Sequence, residues 1–205
     1  MEPAETKTIG DYRIDIVYDE YADSPRTWDN LTTMICFHRS YNLGDEHEYR
    51  SDYFDSWIDL RDTIMKDYKV LCIKPLYMYN HSGITISTTP FPDHYHTVRD
   101  SGQIGFVFID ETKSKELNGD IVKDITKLDM WIEGDVKTYD EYLRGDVFGY
   151  KVYKMHKDNL GNEEEEFLDG CYGFYGLDYC MGEAEGIVDW YISKEKENDK
   201  QTINS

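Results

Sequence analysis

The stretch VLCIKPLYMYNHSGITIS, residues 70–87, decides the fold class. Residues 70–79 and 84–87 are apolar, β-branched and aromatic, as strands require. Between them stand only Asn80, His81, Ser82 and Gly83, a short polar connection containing glycine, which predicts a β-hairpin. A link of this length joins antiparallel strands; parallel ones need a crossover of a dozen or more residues. Working outward, residues 104–109 and 31–37 read as further strands. Residues 11–18 alternate, with Tyr12, Ile14, Ile16 and Tyr18 on one face of a half-buried strand. Residues 147–153 and 166–175 are strand candidates around the turn Asp158-Asn159-Leu160-Gly161.

Three segments switch to the helical period. In residues 53–68, Phe54, Trp57, Ile58, Arg61, Ile64 and Met65 recur at helical spacing on one stripe. In residues 120–143 the series is Ile121, Ile125, Leu128, Ile132, Val136, Tyr139 and Leu143, with Gly134 as a point of bending and Gly145 as the stop. Ile125, Leu128 and Ile132 are expected to be buried against the sheet. Residues 177–191 carry Leu177, Met181, Ala184, Ile187, Val188 and Tyr191. Short strand connections without sustained βαβ alternation predict an α+β fold, a mainly antiparallel sheet with helices packed on one side. Residues 1–10 and 194–205 are polar and without period and read as disordered tails, leaving residues 11–193 as a single domain.

Charge sets the functional argument. Asp and Glu number 42 against 22 Lys and Arg, a net charge of −20, and residues 158–193 contain no Lys or Arg at all. Aromatic residues make up 15% of the chain, 18 of them tyrosines, so it can bury a core, unlike acidic disordered sequences. Tyrosine combines an apolar body with a polar tip and serves half-buried strands and interfaces alike. Of the four cysteines, none forms a CxxC pair, and Cys36 and Cys72 lie in apolar runs where a thiol behaves as a small hydrophobe. Met1 is followed by Glu2 with no basic or apolar leader, and no apolar run has transmembrane length. A reduced, cytoplasmic protein away from the membrane is expected.

Motifs for chemistry are sparse. Asp93, His94 and His96 share a proline-bounded loop, and His38, Asp45 and His47 lie near another, but no metal-ligand framework such as HExxH accompanies them. No metal or cofactor is therefore expected. His81-Ser82-Gly83 and Asp100-Ser101-Gly102 expose hydroxyls at turns without the GxSxG elbow. They define an enzymatic alternative, a pocket of His38, His81, Asp100 and Ser101 acting on a nucleotide or nucleic acid. Cys36 and His38 share a strand face, but burial would leave the thiol inert. P-loop and dinucleotide fingerprints are absent, and the charge has the wrong sign for direct nucleic-acid binding. The sign suits the opposite role. Carboxylates four apart on a helix, such as Glu185 and Asp189, lie about 5–6 Å apart, close to the spacing of successive phosphates along one strand. Glu163, Glu164, Glu165, Glu166, Asp169, Asp178, Glu185 and Asp189 are the expected partner-binding set.

Several strings carry a resemblance: Trp28-Asp29-Asn30-Leu31; Cys36-Phe37-His38-Arg39 with Tyr41-Asn42-Leu43-Gly44-Asp45; Pro75-Leu76-Tyr77 with His81-Ser82-Gly83-Ile84; residues 100–106, DSGQIGF; Thr138-Tyr139-Asp140 with Gly145-Asp146-Val147; and Gly173-Phe174-Tyr175-Gly176. Across residues 28–176 the chain resembles an uncharacterised group of proteins encoded by bacteriophages, prophages and conjugative elements. The resemblance implies a setting and brings no catalytic residues. Joined to the charge, it leads to an expected role as an acidic inhibitor. Its partner would be a basic host protein with a nucleic-acid-binding groove, engaged by DNA mimicry of the anti-CRISPR or anti-restriction type.

Overall fold

A computed structural model describes residues 2–81, 83–92 and 101–203, with side chains as far as Asn198. In chain order the elements are β1 (Glu5–Ile9), β2 (Tyr12–Tyr18), β3 (Thr33–Cys36), α1 (Trp57–Asp67), β4 (Val70–Asn80), β5 (Ile84–Ser87), β6 (Ser101–Asp110), α2 (Glu111–Asn118), α3 (Ile125–Arg144), β7 (Val147–Lys157), β8 (Glu163–Tyr175) and α4 (Leu177–Ile203). The fold is α+β and its strand pairs are antiparallel, as the sequence predicts. The strands form two four-stranded sheets, ordered β1-β2-β7-β8 and β3-β6-β4-β5. The chain divides into two compact units, Met1–Asp23 with Gly145–Ser205, and Ser24–Arg144, within the span that the sequence reads as one domain over residues 11–193. The division follows the pairing: β2 takes β7 as its neighbour rather than β3, so residues 147–157 join the sheet of the N-terminal strands.

In the first unit, Gly10 and Asp11 close the β1–β2 hairpin, with Gly10 at φ +59°, a conformation that tight two-residue turns demand and glycine adopts without strain. β1 occupies part of the expected N-terminal tail. Its sequence, ETKTI, has little apolar content, so only the ladder to β2 reveals it. α4 lays Cys180, Met181, Ala184 and Val188 on Tyr12, Ile14, Ile16, Phe148, Tyr150 and Val152. It then continues through the expected C-terminal tail to Ile203. Lys and Glu are good helix formers, and Glu195 in this extension pairs with Lys154 of β7, which ties the helix back to the sheet.

In the second unit the β4–β5 hairpin forms as expected, with Asn80 opposite Ile84. α3 packs Leu128, Ile132, Val136 and Tyr139 against one face of the sheet, among Met34, Leu76, Ile86, Val107 and Ile109. The alternate residues Ile35, Phe106 and Phe108 meet Leu60 and Ile64 of α1 on the other face. Helices therefore cover both faces here, whereas α4 covers one face of the first sheet. Glycine at position 105 is obligatory: a Cβ there would lie 1.8 Å from the Ile35 carbonyl oxygen, so β3 and β6 can pair only over a bare backbone.

Among the helices, α1 starts at Trp57 rather than at residue 53, α3 starts later than expected, and α2 is a helix that the sequence does not predict. α3 starts at Ile125, where the Asp124 carboxylate accepts the Thr126 N–H at 3.0 Å, so Ile121 lies outside it. Ile125, expected to be buried, is 59% exposed, because it is the first helical residue and the core contacts begin only at Leu128. Gly134 faces open space on the polar side, and the helix runs through it unbroken. α2 has no apolar period that would announce it. The Asp110 carboxylate caps it by accepting from Thr112 N (2.7 Å) and Lys113 N (3.1 Å), and Gly119 ends it in the left-handed region.

Candidate functional site

The acidic residues gather in the first unit. It holds 21 carboxylates against 8 Lys and Arg, so −13 of the −20 net charge falls on 84 of the 205 residues. Glu163 to Glu166 do not stand in a loop. They open β8, an edge strand, opposite Lys157, His156, Met155 and Lys154. Side chains alternate across the sheet, so the run is split between two faces. Glu165 pairs with Arg13 at 2.7 Å and Glu164 with His156 Nε2 at 3.2 Å. Asp169 accepts from the Tyr150 hydroxyl at 3.4 Å. Part of this charge is therefore answered locally, and charge on an edge strand also discourages further strands from adding to it.

The expected carboxylates on α4 are arranged differently. At 100° per residue, Asp178, Glu185 and Asp189 fall within about 40° of one another, one straight stripe over three turns. Glu185 is paired with Lys7 at 2.6 Å, while Asp178 and Asp189 are exposed and make no ion pair among the described residues. Beside the stripe lie Gly182 and Gly186, where an added Cβ would meet nothing within 4 Å. Beyond the glycines stand Tyr179 and Trp190, 60% and 54% exposed. The outward face of α4 is thus acidic on one flank, bare backbone along the middle and aromatic on the other flank. Composition pointed to the carboxylates. The aromatic flank was missed because an apolar residue on a helix reads first as core; two glycines spaced by four in one helix were the available signal, since each costs about 1 kcal/mol relative to alanine.

The enzymatic alternative maps onto the second unit. His38 and Ser101 line one cleft of about 630 Å³, together with Phe37, Arg39, Met78 and Gln103. His81 is exposed, stacks on Tyr79 with ring centres 6.0 Å apart, and does not line the cleft. Asp100 lies outside the described residues, as do Asp93, His94 and His96. Among the described residues, no group of three or more His, Cys, Asp or Glu is placed to hold a metal ion. His38 is held firmly: its Nδ1 accepts the Ser40 N–H at 3.2 Å and its ring stacks on Tyr41 at 5.0 Å.

Asp45 and His47 have structural partners nearby. The Asp45 carboxylate binds the Arg26 guanidinium through both oxygens, at 2.9 and 2.7 Å, and accepts the Met34 N–H at 2.8 Å. Arg26, whose side chain is 5% exposed, also donates to the Thr32 carbonyl at 3.0 Å. Thr32 Oγ1 donates in turn to Asp135 of α3 at 2.7 Å. This network fastens β3 and its flanking loop to α3. His47 donates through Nε2 to the Cys36 carbonyl at 3.1 Å, while its buried Nδ1 has no hydrogen-bond partner among the described residues. Burial, reinforced by the nearby Asp45 carboxylate, pushes the Cys36 thiol up to about 12, so Cys36 is no nucleophile at neutral pH. Cys180 is raised to about 12, also chiefly by burial.

No helix among the described residues is long and apolar enough to cross a membrane. No protein-family model, no curated protein and no solved structure matches this chain, so its function has to be argued from its own geometry.

Proposed function

We propose that this protein is a non-enzymatic binding protein whose acidic unit docks onto a basic, nucleic-acid-accepting surface of another protein. The observation that supports this reading is the outward face of α4, where the Asp178–Glu185–Asp189 stripe runs beside exposed Tyr179 and Trp190. Carboxylates at this spacing meet a basic groove as a row of phosphates would, giving a fast, salt-sensitive approach. Aromatic side chains then supply the desolvated anchors that hold a complex together. Glycines between the two rows let a partner approach the helix backbone closely. The edge carboxylates of β8 extend the negative field around the same unit.

The resemblance to proteins of phages and conjugative elements points to the kind of target, a host protein that recognises nucleic acid in defence, such as a CRISPR effector or restriction enzyme. The protein would then act in the cytoplasm of a bacterial host, as a competitor of DNA. The enzymatic alternative is less supported, since His81 does not line the cleft that His38 and Ser101 share.

Affinity capture from bacterial host lysate, followed by elution with duplex DNA and with salt, tests the reading. A basic partner should be released by DNA and by raising salt above physiological strength, where screening shortens to within a few ångströms. Trp190→Ala, or Asp178→Asn with Asp189→Asn, should abolish capture while leaving the melting curve unchanged. Capture indifferent to both DNA and salt would refute the mimic.

A further inference from the structure

The cleft at the end of β3 carries an inference independent of the acidic unit. Six arginines lie among the described residues, in a chain holding 42 carboxylates. Arg13, Arg26, Arg50, Arg61 and Arg144 each pair with at least one carboxylate. Among the described residues Arg39 makes no ion pair, and no carboxylate lines the 630 Å³ cleft that it borders, although on another side it borders a cleft with Asp45 and Glu46. In so acidic a chain, a guanidinium that forms no ion pair among the described residues and faces a cleft is available to an anionic ligand.

The groups around Arg39 suit the same kind of ligand. Because His38 Nδ1 accepts the Ser40 N–H, the proton of the neutral ring resides on Nε2, so the ring's other edge is a hydrogen-bond donor. Stacking on Tyr41 fixes that edge in place. Ser101 adds a hydroxyl, and the Gln103 amide is held in position by donating to the Gly105 carbonyl at 3.2 Å. Phe37 and Met78 supply an apolar wall. Phe37 also lines a neighbouring, mostly apolar hollow of about 350 Å³ with Phe54, Trp57 and Leu60. Arginine recognises planar carboxylates and phosphates through its fork of N–H donors, and apolar walls take up the body that bears them.

We propose that this cleft is a binding site for a small organic anion, a phosphate or carboxylate group on an apolar or aromatic body, with Arg39 as the charge partner and His38 Nε2–H as the orienting donor. The test is a titration of the ¹⁵N-labelled protein at constant ionic strength with phenyl phosphate, benzoate and inorganic phosphate. Saturable shifts are expected at the Gly102 and Ile104 amides. Phenyl phosphate should bind more tightly than inorganic phosphate if the apolar wall contributes. Saturation by phenyl phosphate without benzoate assigns the phosphate class, and the reverse assigns the carboxylate class. Arg39→Ala should weaken binding at least about tenfold, a loss on the scale of one charged hydrogen bond. Arg61→Ala, at an exposed arginine paired with Asp62, should leave it unchanged. Arg39 is exposed, so the variant's fold is verifiable from the rest of its amide spectrum. The proposal is overturned if none of the three probes gives a saturable shift, or if Arg39→Ala and wild type bind equally.

Discussion

Leu128→Ala paired with Ile125→Ala tests how α3 is seated. Both residues lie on the same stripe of one helix, three positions apart, yet Leu128 is 1% exposed and Ile125 is 59% exposed. Truncating Leu128 removes three carbons from a fully buried site. At about 0.8 kcal/mol per buried methylene the transfer loss alone is about 2.4 kcal/mol. The cavity left between helix and sheet raises the cost into the range of about 2.5–5 kcal/mol, because packed neighbours relax only in part. Ile125→Ala forfeits little burial and gains helix propensity, so its effect should stay within about 0.5 kcal/mol. Urea unfolding followed by tryptophan fluorescence measures both. A Trp190→Phe background leaves Trp28, Trp57 and Trp131, all in the second unit, as reporters. With a urea slope of about 2 kcal/mol per molar, Leu128→Ala should lower the midpoint by about 1.25–2.5 M and Ile125→Ala by about 0.25 M or less. Equal losses from the two substitutions would refute the placement of the helix start and of the core's edge.

Three further outcomes follow from side-chain placement. At pH 8 a thiol reagent should modify Cys171 on the exposed strand β8 and spare Cys36, Cys72 and Cys180, whose thiols burial shifts upward; four rapid modifications in the native protein would contradict that burial. Asp45→Ala should destabilise by about 3–5 kcal/mol in chemical denaturation, since it removes the bidentate partner of the buried Arg26 guanidinium and leaves it only Asp135 at 4.0 Å; a loss under about 1 kcal/mol would mean that the network is not closed. Replacing Glu163 to Glu166 together by Gln should cost little stability, because the pairs Glu165–Arg13 and Glu164–His156 are exposed and worth about 0–1 kcal/mol each. The same variant should associate through the unguarded β8 edge in sedimentation experiments, and a strictly monomeric variant would show that the charges do not protect that edge.

Local chemistry made much of the fold legible. The β4–β5 hairpin, the alternation in β2 and the stripes of α3 and α4 follow from periods of 2 and 3.6 that each segment carries within itself, whereas α1 forms where expected but buries Leu60 with Ile64 and leaves Ile58 and Met65 of the expected stripe exposed. Net charge and the burial of Cys36 and Cys72 were likewise readable, because both depend on composition and immediate neighbours. Elements without an apolar period escaped. ETKTI becomes β1 only because the edge of β2 is there to pair with it, and α2 exists through its Asp110 and Gly119 caps.

Partner choice was decided by tertiary structure alone. Whether β2 pairs with β3 or β7 is settled by contacts some 130 residues apart in sequence, and that choice decides which segments share a sheet and a compact unit. The same holds for the sites. Sequence counted the carboxylates, but only the folded chain answers Glu165 with Arg13, lines Asp178 up with Asp189, and brings His38 to Ser101. Composition determines how much charge and apolar surface a chain carries. Where each charge finds its counter-charge depends on which distant segments the core draws together, and no local pattern encodes that distance.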